Sequence, residues 1–532
     1  MTKTVLMLAT AGLIALGAPA AVHEAHAQQL GAVHFPTSCN EEAQRRFDRA
    51  MRYQHSFWYQ QSKEIYEEAL KADENCAIAY WGIALSLWNN PHGQPPAPNL
   101  APAFAAIEKA KAIAAKGTGA KTARERDYID ALALLYTDYD KTDYRVRLQK
   151  YLKAMEALAA RYPDDDEAQI FYAITLNVSA SPADKTYAQQ IKGAAILEPI
   201  FKRQPQHPGV AHYLIHLYDY PSIAAKGLPA AMRYAAIAPA APHAQHMPSH
   251  IFTRVGYWKE SVASNTASVK AAKATKENNE ALHASDYMVY AYLQLARDDA
   301  ARAIVNDMTT VTNFNPSVMG APFALAASPA RYAVERGDWA AAAALEVRPS
   351  KFPHVMAISH FARAVGAARS GNPQAARLDI AKLAELREKL RTAKDAYWAN
   401  QVDIELQIAT AWMLQAEGKS DEALAAMLAA ADAEDKTEKS PVTPGPLAPA
   451  RELLGEMLLA RGDAKDALAA FEATLAKEPN RFNATAGAAA AAEKLGDKTK
   501  AAAYYEKLVA LAAGSDAPRP ALARAKQYLA KN

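Results

Sequence analysis

The chain has 532 residues, is just over half hydrophobic and carries a formal net charge of only +3. Acids and bases are interspersed, which excludes the basic stripe or strongly basic domain expected of a nucleic-acid binder. Alanine is the commonest residue and glycine is scarce. Because alanine is the best helix former and glycine among the worst, the composition predicts helices almost throughout and no significant sheet.

In chain order, the first segment reads as a cleavable signal peptide over residues 1–27. Lys3 supplies the positive start, Val5 to Leu16 the apolar run, and Ala25-His26-Ala27 the small-x-small cleavage site, giving a mature start at Gln28. A periplasmic or secreted location follows as an expectation. Beyond this segment no run of about 20 apolar residues occurs, so no transmembrane helix is expected. Two cysteines remain, Cys39 and Cys76. An even count in an oxidising compartment points to a disulfide, and both lie at the start of a predicted first helix of a helical pair.

Ala50, Tyr53, Tyr66 and Ala69 fit one helical unit, and Gly82 begins another. Residues 89–101 are proline-rich and read as a loop. The most distinctive feature follows: His212, His216, His243, His246 and His250, flanked by His207 and His283. HYLIH places His212 and His216 on one helix face, as HAQHMPSH does for His243, His246 and His250 if its helix is continuous. Pro248 disfavours that continuity. Residues 310–323 read as a second insertion, and residues 433–449 as a polar, proline-rich linker between a main body (28–432) and a C-terminal pair of units (450–532).

The C-terminal end shows the period most clearly. Gly462, Ala467 and Phe471 recur 34 residues later as Gly496, Ala501 and Tyr505, with Gly455 and Pro479 in supporting positions. Gly337-Asp338-Trp339 and Gly371-Asn372-Pro373 are again 34 apart, and Gly256-Tyr257-Trp258 and Gly418-Lys419-Ser420 look like the same turn. On these residues the chain resembles the tetratricopeptide-repeat (TPR) family over most of 40–515, with several units degenerate. The resemblance implies an all-α, right-handed solenoid of helical hairpins. The runs HYLIHLYDYP, APHAQHMPSHIFTRVGYW, SC…AYWGIALS and PVTPGPLAPARELLGEMLL are similar to a group of secreted bacterial TPR proteins described by their repeats. That wider likeness implies export and fold but no specific activity.

The repeat then organises the histidines. His246 and His250 stand 34 residues after His212 and His216. With Gly256 as the turn glycine, His243, His246 and His250 take positions 2, 5 and 9 of a first helix, and His212 and His216 take 5 and 9 of the preceding one. With Ala296 as the next turn residue, His283, Asp286 and Tyr290 take 2, 5 and 9. The TPR resemblance implies that these positions line the concave groove, within 207–290. Neighbouring helices pack about 8–10 Å apart, so imidazoles from adjacent helices can meet at one ion.

Three uses remain open at this stage. A nearly carboxylate-free imidazole set suits copper or zinc, with His212, His216, His246 and His250 as ligands and His243, His283 and Asp286 as helpers, and six imidazoles would suffice for two ions. The same groove, with Tyr213, Arg254, Tyr287 and Tyr290, would suit a peptide or protein partner without metal. A metal-dependent oxidase or hydrolase would need an open coordination position. Histidines packed at helix crossings are the plain alternative, and His34, His55, His92, His354 and His360 read as scaffold or surface. No nucleophile elbow, P-loop, dinucleotide fingerprint or HExxH motif is present.

Overall fold

The computed structural model describes residues 29–117, 119–181 and 183–531. The expected signal peptide and cleavage site lie outside these residues. The described chain is helical from Glu41 to Lys531, with no strand, and each helix packs chiefly on its sequence neighbours, as in an α-solenoid.

Local chemistry places the helix ends. Asn40 accepts from the Ala43 amide and starts Glu41–His55, and Thr122 with Glu125 forms a complete capping box before Ala123–Tyr136. At the other ends, Gly256 (φ 71°) and Gly462 (φ 100°) take the left-handed conformation that closes a helix, in the turns anticipated from the repeat. Ala296 occupies the same region (φ 53°) in the unit that lacks the glycine. At the helix crossings, a Cβ on Gly82 would lie 2.5 Å from the Tyr66 ring, and one on Gly455 would lie 2.8 Å from Phe471. These are positions where only a missing side chain lets the paired helices meet.

Cys39 and Cys76 form the expected disulfide, with Cα atoms 5.0 Å apart, joining the starts of Glu41–His55 and Ala77–Trp88. In the chain-entropy view a loop of this size is worth about 4 kcal/mol.

Two large cores result. One extends from Leu30 to Phe252 and the other from Ala296 to Ala525. The chain curls back so that the second meets the seam between them. Trp258 Nε1 donates to the Asn480 carbonyl (2.8 Å), and Phe482 N donates to Gln294 Oε1 (2.9 Å). Fully buried Arg481 pairs with Glu335 and Glu452, and Arg519 with Asp298. The segment expected as a linker, 433–449, crosses this seam with its polar groups engaged. Tyr187 donates to Glu438 (2.7 Å), Tyr287 to the Pro441 carbonyl (2.9 Å), and Arg331 to the Pro446 carbonyl (2.8 Å). The proline-rich loop ends at Pro96, where Ala97–Ala115 begins, and the second insertion is coil only to Met319, before Gly320–Glu335.

Candidate metal centre

The first helices of three successive repeat units supply the histidines. Pro208–Tyr218 starts with His207 as its cap and carries His212 and His216 one turn apart. The next run splits at Pro248 into Pro242–His246 and Pro248–Val255. Met247 nevertheless keeps α-helical angles (φ −52°, ψ −37°), so His246 and His250 stay one turn apart on one face. Asn278–Gln294 carries His283.

The six rings fall into two triads, His212–His216–His243 and His246–His250–His283. Within each, one nitrogen from every ring lies within 4.8 Å of the others. Each HxxxH pair is thus completed by the position-2 histidine of the following unit. The triads adjoin: ring centres of His216 and His250 are 6.2 Å apart, and those of His243 and His246 6.3 Å.

Hydrogen bonding fixes the tautomers. In the second triad, His250 Nδ1 is 2.9 Å from Asp219 Oδ2, an acceptor only, so Nδ1 carries the proton. Asn265 donates its amide to the Ser261 carbonyl and turns Oδ1 to His246 Nδ1 (2.6 Å), which therefore also donates. Both Nε2 atoms are left as bare lone pairs, facing each other at 3.0 Å. In the first triad, His212 Nδ1 donates to the His55 carbonyl (2.7 Å), and Glu280 stands 3.5 Å from His243 Nδ1. His212 Nε2 is then a lone pair, 3.1 Å from His216 Nε2 and 3.2 Å from His243 Nε2. Two facing lone pairs repel unless a cation lies between them. With metal–nitrogen bonds of about 2.0–2.1 Å, adjacent ligand nitrogens of a tetrahedral ion are about 3.3 Å apart. Anchoring the far ring nitrogen on a carbonyl or carboxylate is the usual second layer of a histidine metal site.

Burial reinforces neutrality. His212, His216 and His246 are held well below the ordinary imidazole range, first by desolvation and then by neighbouring rings. Desolvation also lowers His250 against the pull of Asp219, and brings His283 down to about 4 against Glu280. A shared proton is therefore the disfavoured occupant. His283 Nδ1 is buried with no hydrogen-bond partner.

A third group, His55–Glu167–His207, is equally close-packed and fully buried. Its bookkeeping differs. The Val210 amide donates to His207 Nδ1, so His207 Nε2 donates to Glu167 (2.9 Å). His55 Nε2 donates to the other Glu167 oxygen (3.0 Å), and Tyr213 donates to His55 Nδ1 (3.0 Å). Every nitrogen is satisfied and no lone pair is spare. This group backs the first triad, because the His55 carbonyl orients His212.

The structure brings together all six predicted histidines, in a buried seam rather than on an open groove. Tyr287 packs edge-on against His246 (4.7 Å), while Arg254 holds Asp219 (2.8 Å). The remaining predicted residues are elsewhere. Asp286 faces Arg331 (3.6 Å) and accepts from Ser328 (3.0 Å); Tyr290 donates to Glu478 (2.9 Å); Tyr213 serves His55. Sequence reasoning missed Asp219, Asn265 and Glu280. It also assigned His55 and His92 to scaffold or surface, yet the proline-rich loop sets the His92 ring 4.3 Å from His216. Phe57 covers the first triad, 4.3 Å from His212 and 5.1 Å from His243.

No protein-family model matches the sequence, and no curated protein matches it. Several solved structures follow a similar helical course. A human IFIT1 dimer with m7Gppp-AAAA has 12% identity and a TM-score of 0.34, covering 92% of this chain and 99% of its own. Yeast Tom70 has 12% identity and a TM-score of 0.27, covering 92% and 96%. The Cut9–Hcn1 hetero-tetramer of APC/C has 11% identity and a TM-score of 0.29, covering 91% and 96%. Such distant likeness carries no functional argument. The fold described here is a TPR-like all-α solenoid on its own geometry, and the site must be judged on its chemistry.

Proposed function

We propose that this chain is a helical-repeat scaffold that binds two transition-metal ions, copper or zinc, one in each histidine triad. The observation that carries this reading is the pair of bare Nε2 atoms of His246 and His250, 3.0 Å apart, each locked by a hydrogen bond on its far side. Neutral imidazole suits copper and zinc, and three protein ligands leave each ion a position for water or substrate. The chain would store or deliver the ions, or use them in catalysis. We also place it in the periplasm or outside the cell; the N-terminal pattern and the Cys39–Cys76 bridge support this.

Elemental analysis of protein purified without a polyhistidine tag tests the reading. Two copper or zinc ions per chain are expected, and none in His212→Ala/His250→Ala, with helical circular dichroism preserved. No metal as purified, and no uptake on titration with either ion, would sink it. A metal-free platform for a protein or peptide partner would then be the reading to pursue.

A further inference from the structure

Beside the first triad lies a cleft of about 560 Å³, within the range of about 300–1,000 Å³ typical of small-molecule sites. His216 and His92 form part of its wall. Of the first triad His216 alone lines this cleft, so an external ligand would approach the ion from the His216 side.

The wall chemistry narrows the ligand. Tyr144, Tyr187, Tyr220 and Trp398 contribute to it. The three tyrosine hydroxyls are already bonded, to the Gly93 carbonyl, to Glu438, and to Gln190. What they can still offer is ring surface, which favours an aromatic body. Most wall carboxylate oxygens are also committed; Glu438 accepts from Tyr187 and Lys185 through Oε1, while its Oε2 faces Arg254 at 3.9 Å without a hydrogen bond. Asp219 serves His250, Arg254 and Lys439, while Asp184 and Asp395 accept from backbone amides. A cationic ligand therefore finds no free acid among these. A triad of neutral imidazoles, by contrast, leaves the whole charge of a divalent ion unbalanced, and an anionic oxygen is the natural partner for its open position.

We infer that this cleft admits a small phenol, its ring lying among Tyr144, Tyr187, Tyr220 and Trp398 and its deprotonated oxygen reaching the ion of the first triad. The inference deepens the two-ion reading and rests on it. The proton released from the phenol passes to solvent through the open mouth.

The test uses full-length protein loaded with Cu(II), its copper content measured independently, and titrated with 4-nitrophenol while the absorption spectrum is followed. A saturable shift at one equivalent is expected. It should vanish in Ala180→Trp and in Val178→Trp, two independent fillings of the cleft wall, with copper content and helicity unchanged. Copper-loaded protein that gives no shift, or a shift that persists in both filled variants at full copper content, overturns the inference alone. Failure to take up copper or zinc would instead overturn the two-ion reading, and the inference with it.

Discussion

The two histidine triads and the His55–Glu167–His207 group are all close-packed clusters of ligand-type residues, yet they differ in chemistry. Around Glu167, two N–H donors meet one carboxylate, and the remaining imidazole nitrogens accept from Val210 and Tyr213. In the triads, His212, His246 and His250 spend their N–H groups outward, on a carbonyl, an amide oxygen and a carboxylate, so their lone pairs turn inward. Proximity of ligand-type residues is therefore not the criterion. What matters is where each proton goes.

The largest effect expected from this contrast is on ion count. His250→Ala should reduce the bound metal from two ions to one, His212→Ala likewise, while His207→Gln should leave both in place. Inductively coupled plasma mass spectrometry on the three proteins checks this. Loss of metal in His207→Gln would place a ligand role where the hydrogen bonds leave no room for one.

The next effect separates orientation from ligation. Asp219→Asn keeps the shape but weakens the anchor on His250 Nδ1. Removing such a second-layer partner usually costs about 10–100-fold in metal affinity. Competition with a chelator should show that loss at the second triad only. Glu167→Gln, which leaves one buried imidazole N–H without an acceptor, should instead lower stability by about 1–3 kcal/mol in urea with both ions retained.

Much of this was legible in the sequence. The 34-residue period fixed the turn glycines and the crossing at Gly455. Parity and helix position fixed the disulfide. The in-phase HxxxH pairs, with their position-2 partners, gave all six histidines. The rest was not legible because it depends on contacts without a phase. Asp219 lies one residue past a helix end, and Asn265 on the second helix of a hairpin. His92 arrives from an insertion, and His55 meets Glu167 from 112 residues away. Asp286 sits at the repeat position that bears histidine in the two preceding units, but Arg331 claims it from the next. The seam closed by 433–449 and Arg481 depends on superhelical curvature, which no local pattern reveals.

Acidity sharpens the contrast further. His283 falls to about 4 in the folded protein against an ordinary 6.5, and His212, His216 and His246 are also depressed. Between these limits the unfolded chain binds protons that the folded chain refuses. The histidine contribution to metal-free stability should be complete above about pH 6.5 and be lost as pH falls toward 4, while Glu277, Glu405, Glu434 and Glu452, raised by desolvation, act in the opposite sense. His55, depressed by burial, adds to the same window. Glu167 is held below the ordinary carboxylate range, because the pull of His55 and His207 outweighs its desolvation, so its contribution is lost only below about pH 4.5. Thermal melts from pH 7 to 4 should therefore flatten in His246→Leu, whereas Glu167→Gln should alter the profile mainly at its acid end. A profile unchanged in His246→Leu would mean that the triad is already charged when folded.

The smallest expected effect concerns Phe57, which packs on the first triad but touches none of the second. Phe57 is held at φ 59°, a left-handed conformation that costs a non-glycine residue roughly 1–2 kcal/mol. Phe57→Gly would relieve that strain while removing an apolar cover, so the change in folding stability should be small. The change in kinetics should not be symmetrical. Water and chelator gain a second approach to His212 and His243, and metal release from the first triad should quicken. Release from the second, walled by Tyr287, should keep its rate. Chelator-driven release followed by stopped flow would then split into two phases, of which only one responds to the substitution. Acceleration of both phases together would mean that the two triads exchange their ions through a common path.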